Sequence, residues 1–182
     1  MNSFFSPNEL ISLGFNKIGE NVLISRKASI YEPHLIEIGD NVRIDDFCIL
    51  SGSICLGSFI HISAYTALYG KYGIILDDFT TISGRVTIYS QNDDYSGAYM
   101  TNPMIPKQFT NVTGGPVQIK KHSIIGAGSI VLPNLTINEG VAVGAMSLIN
   151  RSLKEWRIYA GIPAKYLKPR SKALLQNEKF IR

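Results

Sequence analysis

Two adjacent carboxylates, Asp93 and Asp94, stand in the stretch "VTIYSQNDDYSGAYMTNPMIP", where the otherwise regular order of aliphatic residues breaks. A carboxylate at such a break can accept a proton from a nucleophile, orient the segment, or bond its backbone. Other proton-moving groups are few. The histidines are His34, His61 and His122, spaced by 27 and 61 residues, so none belongs to the close-spaced pair of a zinc site. His61, in "FIHISAY", lies beside an aliphatic residue and four positions before Tyr65. It suits a base, a substrate ligand or a satisfied wall residue. His122 follows Lys120 and Lys121 just past the break, while His34 lies in an irregular stretch and is expected at the surface. Cys48 and Cys55 fall within the apolar pattern, which fits small buried thiols of a reducing compartment better than a disulfide.

The elements that position these groups follow from a period of six. Aliphatic residues recur at Ile18, Ile24, Ile30; Ile38, Ile44, Leu50; Leu56, Ile62, Leu68; Leu76, Ile82, Ile88; and, past the break, at Ile119, Ile125, Val131; Ile137, Val143, Ile149. Four residues after many of them comes a small or β-branched residue, among them Val42, Cys48, Thr66, Thr80, Ser123 and Ser129. A helix needs a period of 3.6 and a simple strand a period of 2, so neither accounts for this one. Short straight segments joined by tight turns do. Three segments close a triangular coil of eighteen residues, and stacked coils bury the aliphatics in columns that no single coil could shield. Spacings of twenty between Ile18 and Ile38 and between Leu56 and Leu76 predict two-residue insertions at "EPHLIE" and "YGKYG".

The ends read differently. In "SPNELISLG", Ser6 as N-cap, Pro7 at the first helical position, Glu9 completing a capping box and Gly14 as a stop predict a short helix over the first coil. "SKALLQNEKF" has helical composition and is expected to brace the last coil. The expected organisation is a single domain, 1–182: a capping segment 1–17, coils 18–155 with a protruding loop 90–116, and a C-terminal segment 156–182. No apolar run approaches the roughly 18–20 residues of a membrane span. The start lacks the marks of a secretory leader, so a cytoplasmic protein is expected. The formal charge of +4 suits an anionic ligand, but the cations are thinly spread and do not point to nucleic acid.

On these residues the chain resembles the hexapeptide-repeat acyltransferases. The resemblance runs over about 18–168 and rests on the repeat, on "IIGAGSIVLPNLTINEGVAVGAMSLI" and on the closing "YAGIPAKYL". It implies an all-β, left-handed parallel β-helix, a homotrimer and acyl transfer from coenzyme A. "NVLISRKASIY", "NVRIDDFCILSG", "HISAYTALYG", "DDYSG" and "KKHSIIGAGSIVLPN" further resemble the N-acyltransferases that act on dTDP-4-amino-4,6-dideoxyglucose in viosamine and anthrose pathways. A nucleotide-sugar substrate for surface polysaccharide, acetyl-CoA as co-substrate, and no metal follow as expectations.

The resemblance also carries over roles. Many relatives place a histidine where "VTIYSQND" places Asp93. A hydroxyl is a weak acid and needs a base with pKa near the working pH, whereas an amine attacks through its own lone pair and leaves an acidic ammonium that a carboxylate can deprotonate. Asp at this position therefore points to an amino acceptor. Ser83 in "TISGR" is implied as a partner of Asp93, although a small residue at a tight corner explains it equally. Asp94 replaces Asp93 as base if the loop register shifts by one, and His61 is a further alternative. Gly126, Ala127, Gly144 and Ala145 are expected to let the pantetheine arm run against the coil edge, with an N–H near Gly126 on the thioester oxygen. Lys165, with Arg151 and Lys168, is expected at the cofactor phosphates, and Tyr31, Arg43, Asp45 and Tyr65 at the sugar nucleotide. Two rival readings remain: O-acetylation of a sugar hydroxyl, and a non-catalytic structural β-helix.

Overall fold

A computed structural model of the protein describes residues 3–181. Successive coils pair in parallel and in register, so the period of six becomes three flat faces. On the first, Ile18, Ile38, Leu56, Leu76, Ile119 and Ile137 stack one above another. On the second the column is Ile24, Ile44, Ile62, Ile82, Ile125 and Val143, and Tyr159 extends it. On the third it is Ile30, Leu50, Leu68, Ile88, Val131 and Ile149. Among the repeat aliphatics only Ile18 and Ile30, in the first coil, are less than fully buried. The first and third faces belong to one continuous sheet, because strands Ile49–Leu56 and Ala67–Leu76 pass round their shared corner without a break.

The corners explain the other half of the pattern. The residue before most of the buried corner residues has a left-handed backbone, as at Asn21, Asn41, Phe47, Phe59, Tyr65, Phe79, Arg85, His122 and Met146. For a bulky residue this conformation costs about 1–2 kcal/mol. Stacking along the edges offsets that cost. At the corner of the first and second faces Phe59 lies on Phe79 (4.8 Å between centroids) and Phe79 on His122 (5.2 Å). At the corner of the second and third, Phe47 lies on Tyr65 (4.9 Å), with Lys27 over the free face of Phe47 and Arg85 over Tyr65. Each aromatic pair contributes about 0.5–1.5 kcal/mol. Buried corner hydroxyls are satisfied inside the coil: Thr66 Oγ1 donates to the Ser83 carbonyl and Ser123 Oγ to that of Asn138.

The first insertion is a 3-10 turn at Pro33–Leu35 with His34 exposed, and the second is absorbed in the long strand Ala67–Leu76. One expectation fails. Cys55 alternates with the inward Ile54 and Leu56 and is therefore exposed; Cys48 alone is buried, which pushes its thiol up to about 11.

Helix α1 (Pro7–Ser12) covers the open end of the first coil through buried Leu10, and the Ser6 N–H donates to Glu9 Oε2 at 2.8 Å. At the other end, strand Lys165–Pro169 doubles back antiparallel on Arg157–Ala160. Arg170 Nη1 then donates to the carbonyls of His122, Gly140 and Val141, and the short helix α2 (Leu175–Glu178) brings Glu178 to His122 Nε2 at 3.1 Å.

Candidate active site

The chain leaves the third face at Ser90, whose hydroxyl donates to the Tyr69 carbonyl and accepts the Tyr72 N–H. Gln91–Asn92 and Thr113–Gly114 then form an antiparallel stem, closed by Gly115 N–H on the Ser90 carbonyl. A side chain at Gly114 would collide with that carbonyl oxygen and with the Tyr72 ring, so only glycine closes the stem. The loop is ordered by its own polar groups: Ser96 Oγ lies 2.8 and 2.9 Å from the Asp94 carboxylate oxygens, and Tyr99 N–H donates to Oδ2. The Ser96 hydroxyl holds the Asp94 carboxyl below the usual carboxylate range.

Asp93 is placed differently. Among the described residues its carboxylate has no hydrogen-bond or ion-pair partner, and it lines a cleft of ≈ 890 Å³ between the third face and the loop. Tyr69, Tyr89, Gln91 and Tyr95 form the polar part of the cleft; Val112, Ile130, Leu132 and Leu148 form its apolar floor. The sequence reading missed these side chains. A signal was available for two of them, since Tyr69 and Tyr89 each follow a core aliphatic of the third face and stack on one another at 5.3 Å.

A second cluster occupies the second face. Asp45 accepts from Arg43 Nε at 2.7 Å and lies 2.8 Å from His61 Nε2. Burial works against its charged form, but the bonds from Arg43 and His61 hold its carboxyl below the ordinary range. Thr81 sits under His61, and Ser83 is two residues further along that strand. Strand geometry thus sets His61 and Ser83 about 8 Å apart. Ser83 donates its N–H to the Ile125 carbonyl, and among the described residues its hydroxyl is unpaired. Gly126 comes next in line. Its N–H is used on the Val143 carbonyl, as that of Gly144 is on Tyr159, so neither is available to a ligand. The N–H groups of Ala127 and Ala145, at the exposed corner, have no partner among the described residues.

Tyr65 stands at the same corner with both ring faces covered, by Phe47 and by Arg85, and can meet a ligand only through its edge. Tyr31 is exposed on the outer side of the third face. Lys165 and Lys168 project from the returning strand and Arg151 from the end of the last coil, all exposed. His122, by contrast, is buried in the other corner ladder and serves packing. Ser83 and Asp93 lie at opposite ends of the third face. A strand of five or six residues sets them roughly 15–20 Å apart in one chain.

No family model matches the chain. It is 47% identical, over 99% of its length and 95% of the relative's, to dTDP-4-amino-4,6-dideoxy-D-glucose acyltransferase of Escherichia coli. AntD, an N-acyltransferase from Bacillus cereus solved with dTDP and 3-hydroxybutyryl-CoA, superposes with a TM-score of 0.97 at 54% identity, covering 100% of this chain and 97% of that one. AntD variants that replace one serine have been solved with dTDP-4-amino-4,6-dideoxyglucose and coenzyme A, and variants that replace one aspartate with dTDP and coenzyme A. The acetyltransferase domain of PglB from Neisseria gonorrhoeae, at 22% identity and a TM-score of 0.62, covers 88% of this chain and 62% of that one and shares the fold alone. Coil, loop and corner make this a left-handed parallel β-helix acyltransferase. Within that class the chain belongs to the dTDP-4-amino-4,6-dideoxy-D-glucose acyltransferases.

Proposed function

We propose that the protein transfers an acyl group from coenzyme A to the 4-amino group of dTDP-4-amino-4,6-dideoxyglucose, with Asp93 as the proton acceptor. The unpaired Asp93 carboxylate opening into a cleft carries the proposal. The ligands of AntD supply the substrate pair. The aspartate and serine replaced in AntD lie ten positions apart, as do Ser83 and Asp93.

In the reaction the amine lone pair forms a C–N bond to the thioester carbonyl carbon, and the C–S bond then breaks. Asp93 accepts the ammonium proton and passes it on to the departing sulfur, so the carboxylate is regenerated. The free N–H of Ala127 is suited to the carbonyl oxygen as it gains charge. Lys165, Arg151 and Lys168 are suited to the cofactor phosphates, and Arg43, Asp45 and His61 to the sugar nucleotide. We assign His61, which bonds Asp45 through Nε2, to binding together with it.

Since Ser83 and Asp93 stand a full face apart, both reach one acceptor only if two chains contribute. A homotrimer with its groove between neighbouring copies meets this need. Among the described residues no helix is long and apolar enough to cross a membrane, and we place the enzyme in the cytoplasm with its substrates. Its product is the kind of activated donor from which surface polysaccharides are assembled.

The test is a panel of dTDP- and UDP-linked amino sugars with acetyl-CoA and longer acyl-CoA donors, followed by thiol release. The dTDP-4-amino sugar should be acylated and its 4-hydroxy counterpart should not. Equal turnover of the hydroxyl sugar would transfer the assignment to O-acylation.

A further inference from the structure

One coil carries two residues more than its core column needs. Strand Ala67–Leu76 meets Ile49–Leu56 at the rungs Tyr69↔Ser51 and Gly70↔Gly52, then resumes at Ile74↔Ile54. Lys71, Tyr72 and Gly73 therefore stand opposite Ser53 alone, and the surplus is the insertion in "YGKYG". On the next coil the chain pairs Thr87–Tyr89 with Ala67–Tyr69, leaves at Ser90, and comes back as Val117 on Ile74. The loop thus departs and returns directly over the insertion. Ser90, fully buried, joins the two. Its hydroxyl accepts the Tyr72 N–H at 2.9 Å and donates to the Tyr69 carbonyl at 2.8 Å, to which its own N–H also donates at 3.0 Å. Its carbonyl receives the Gly115 N–H at 3.0 Å from the returning strand. The Tyr72 ring walls that strand: a Cβ on residue 114 would lie 2.6 and 2.8 Å from two of its ring carbons.

We propose that the insertion is a socket for the root of the loop, and that Ser90 and Tyr72 are positioning residues for Asp93. The inference rests on the reading of Asp93 as proton acceptor and adds what holds that acid in place. Only Gln91 and Asn92 separate Ser90 from Asp93, and both are paired in the stem. A displacement at the root is therefore passed to the carboxylate. The inserted residues have no rung of their own, so the Tyr72 N–H falls to the Ser90 hydroxyl. Without that hydroxyl the donor is left unmet at a buried junction, which is unfavourable. The segment and the loop root then separate or admit water, and Asp93 shifts with them. A misplacement of about 1 Å is enough to cost a reaction roughly a hundredfold.

The test is a double-mutant cycle on the intact protein, read as steady-state acylation of dTDP-4-amino-4,6-dideoxyglucose. It compares the wild type, Ser90→Ala, Tyr72→Ala, Tyr72→Phe and Asp93→Asn, and joins each of the two alanine variants to Asp93→Asn. Ser90→Ala and Tyr72→Ala should each lower kcat roughly 10- to 100-fold, while the Kd for coenzyme A holds. Tyr72→Phe should keep the wild-type kcat, since ring carbons and the backbone N–H make the contacts. In the Asp93→Asn background neither alanine should reduce the residual turnover further, because no acid is left to misplace. Equal fold losses in both backgrounds would give Ser90 and Tyr72 a merely structural role and overturn the socket, as would wild-type kcat in both alanine variants; either result leaves the proposed function intact. If Ser90→Ala misfolds, the cycle at Tyr72, which is 47% exposed, decides. Full activity of Asp93→Asn by itself would strike the acid assigned above, and the socket's purpose with it.

Discussion

Asp93 and Asp94 are chemically identical neighbours, and their surroundings separate them. Ser96 and the Tyr99 N–H occupy Asp94, so it orders the loop; the Asp93 carboxylate is unspent. Asp93→Asn should therefore lower kcat by about 10²–10⁴ with little change in Tm. Asp94→Asn should act mainly through loop order and cost less, and equal losses in a steady-state assay would undo the distinction. From the sequence alone the two acids exchanged roles with a one-residue slip, because an extruded loop has no repeat to fix its register. The missing clue was two residues away in "DDYSG", where a serine can reach back to only one of the acids. The Asp45–His61 bond was harder to see, since its partners are sixteen residues apart and meet only because one coil lies over the next.

At the scale of elements, short range decides what can be read. Ser6, Pro7, Glu9 and Gly14 lie within one turn or two of each other, and helix α1 begins and ends by them. Glu9 also takes a forked bond from Arg26, at 2.6 and 2.7 Å, and the Arg26 and Ser6 bonds lower its pKa to about 2. A depressed folded pKa means that this contribution is complete above the unfolded value, near 4.5, and is lost as pH falls through about 2. Hydrogen exchange over residues 7–13 should stay slow at pH 5 and quicken between pH 4 and 2, whereas Glu9→Gln should show no such step. The loop stem carried no comparable signal. Gln91–Asn92 and Thr113–Gly114 pair across twenty residues without a hydrophobic period. Gly114→Ala should open this stem and reduce kcat by roughly tenfold or more through misplacement of Asp93, with Tm nearly unchanged; a fully active Gly114→Ala would show that the stem does not position the acid.

For the whole molecule the repeat was legible because a solenoid turns sequence period directly into contact, and each core residue meets the one a coil away. Ile62 is fully buried between Ile44 and Ile82, so Ile62→Ala should cost about 2–5 kcal/mol in denaturant unfolding. The relation between copies was not legible, since no internal period of one chain encodes its neighbour. If neighbouring chains complete each groove, inactive Ser83→Ala and Asp93→Asn chains refolded together in equal amounts should regain about a quarter of wild-type activity, one groove in four pairing an intact serine with an intact acid. A mixture as inactive as its parts would count against the shared groove.

The strict stacking of coils has one more consequence: the third face is a ruler graduated in steps of about 4.8 Å. Substrate reach is then measured in whole coils. An eighteen-residue coil spliced between the Ser51 and Tyr69 rungs would move every group on one side of it one graduation further from every group on the other, without redesigning either end.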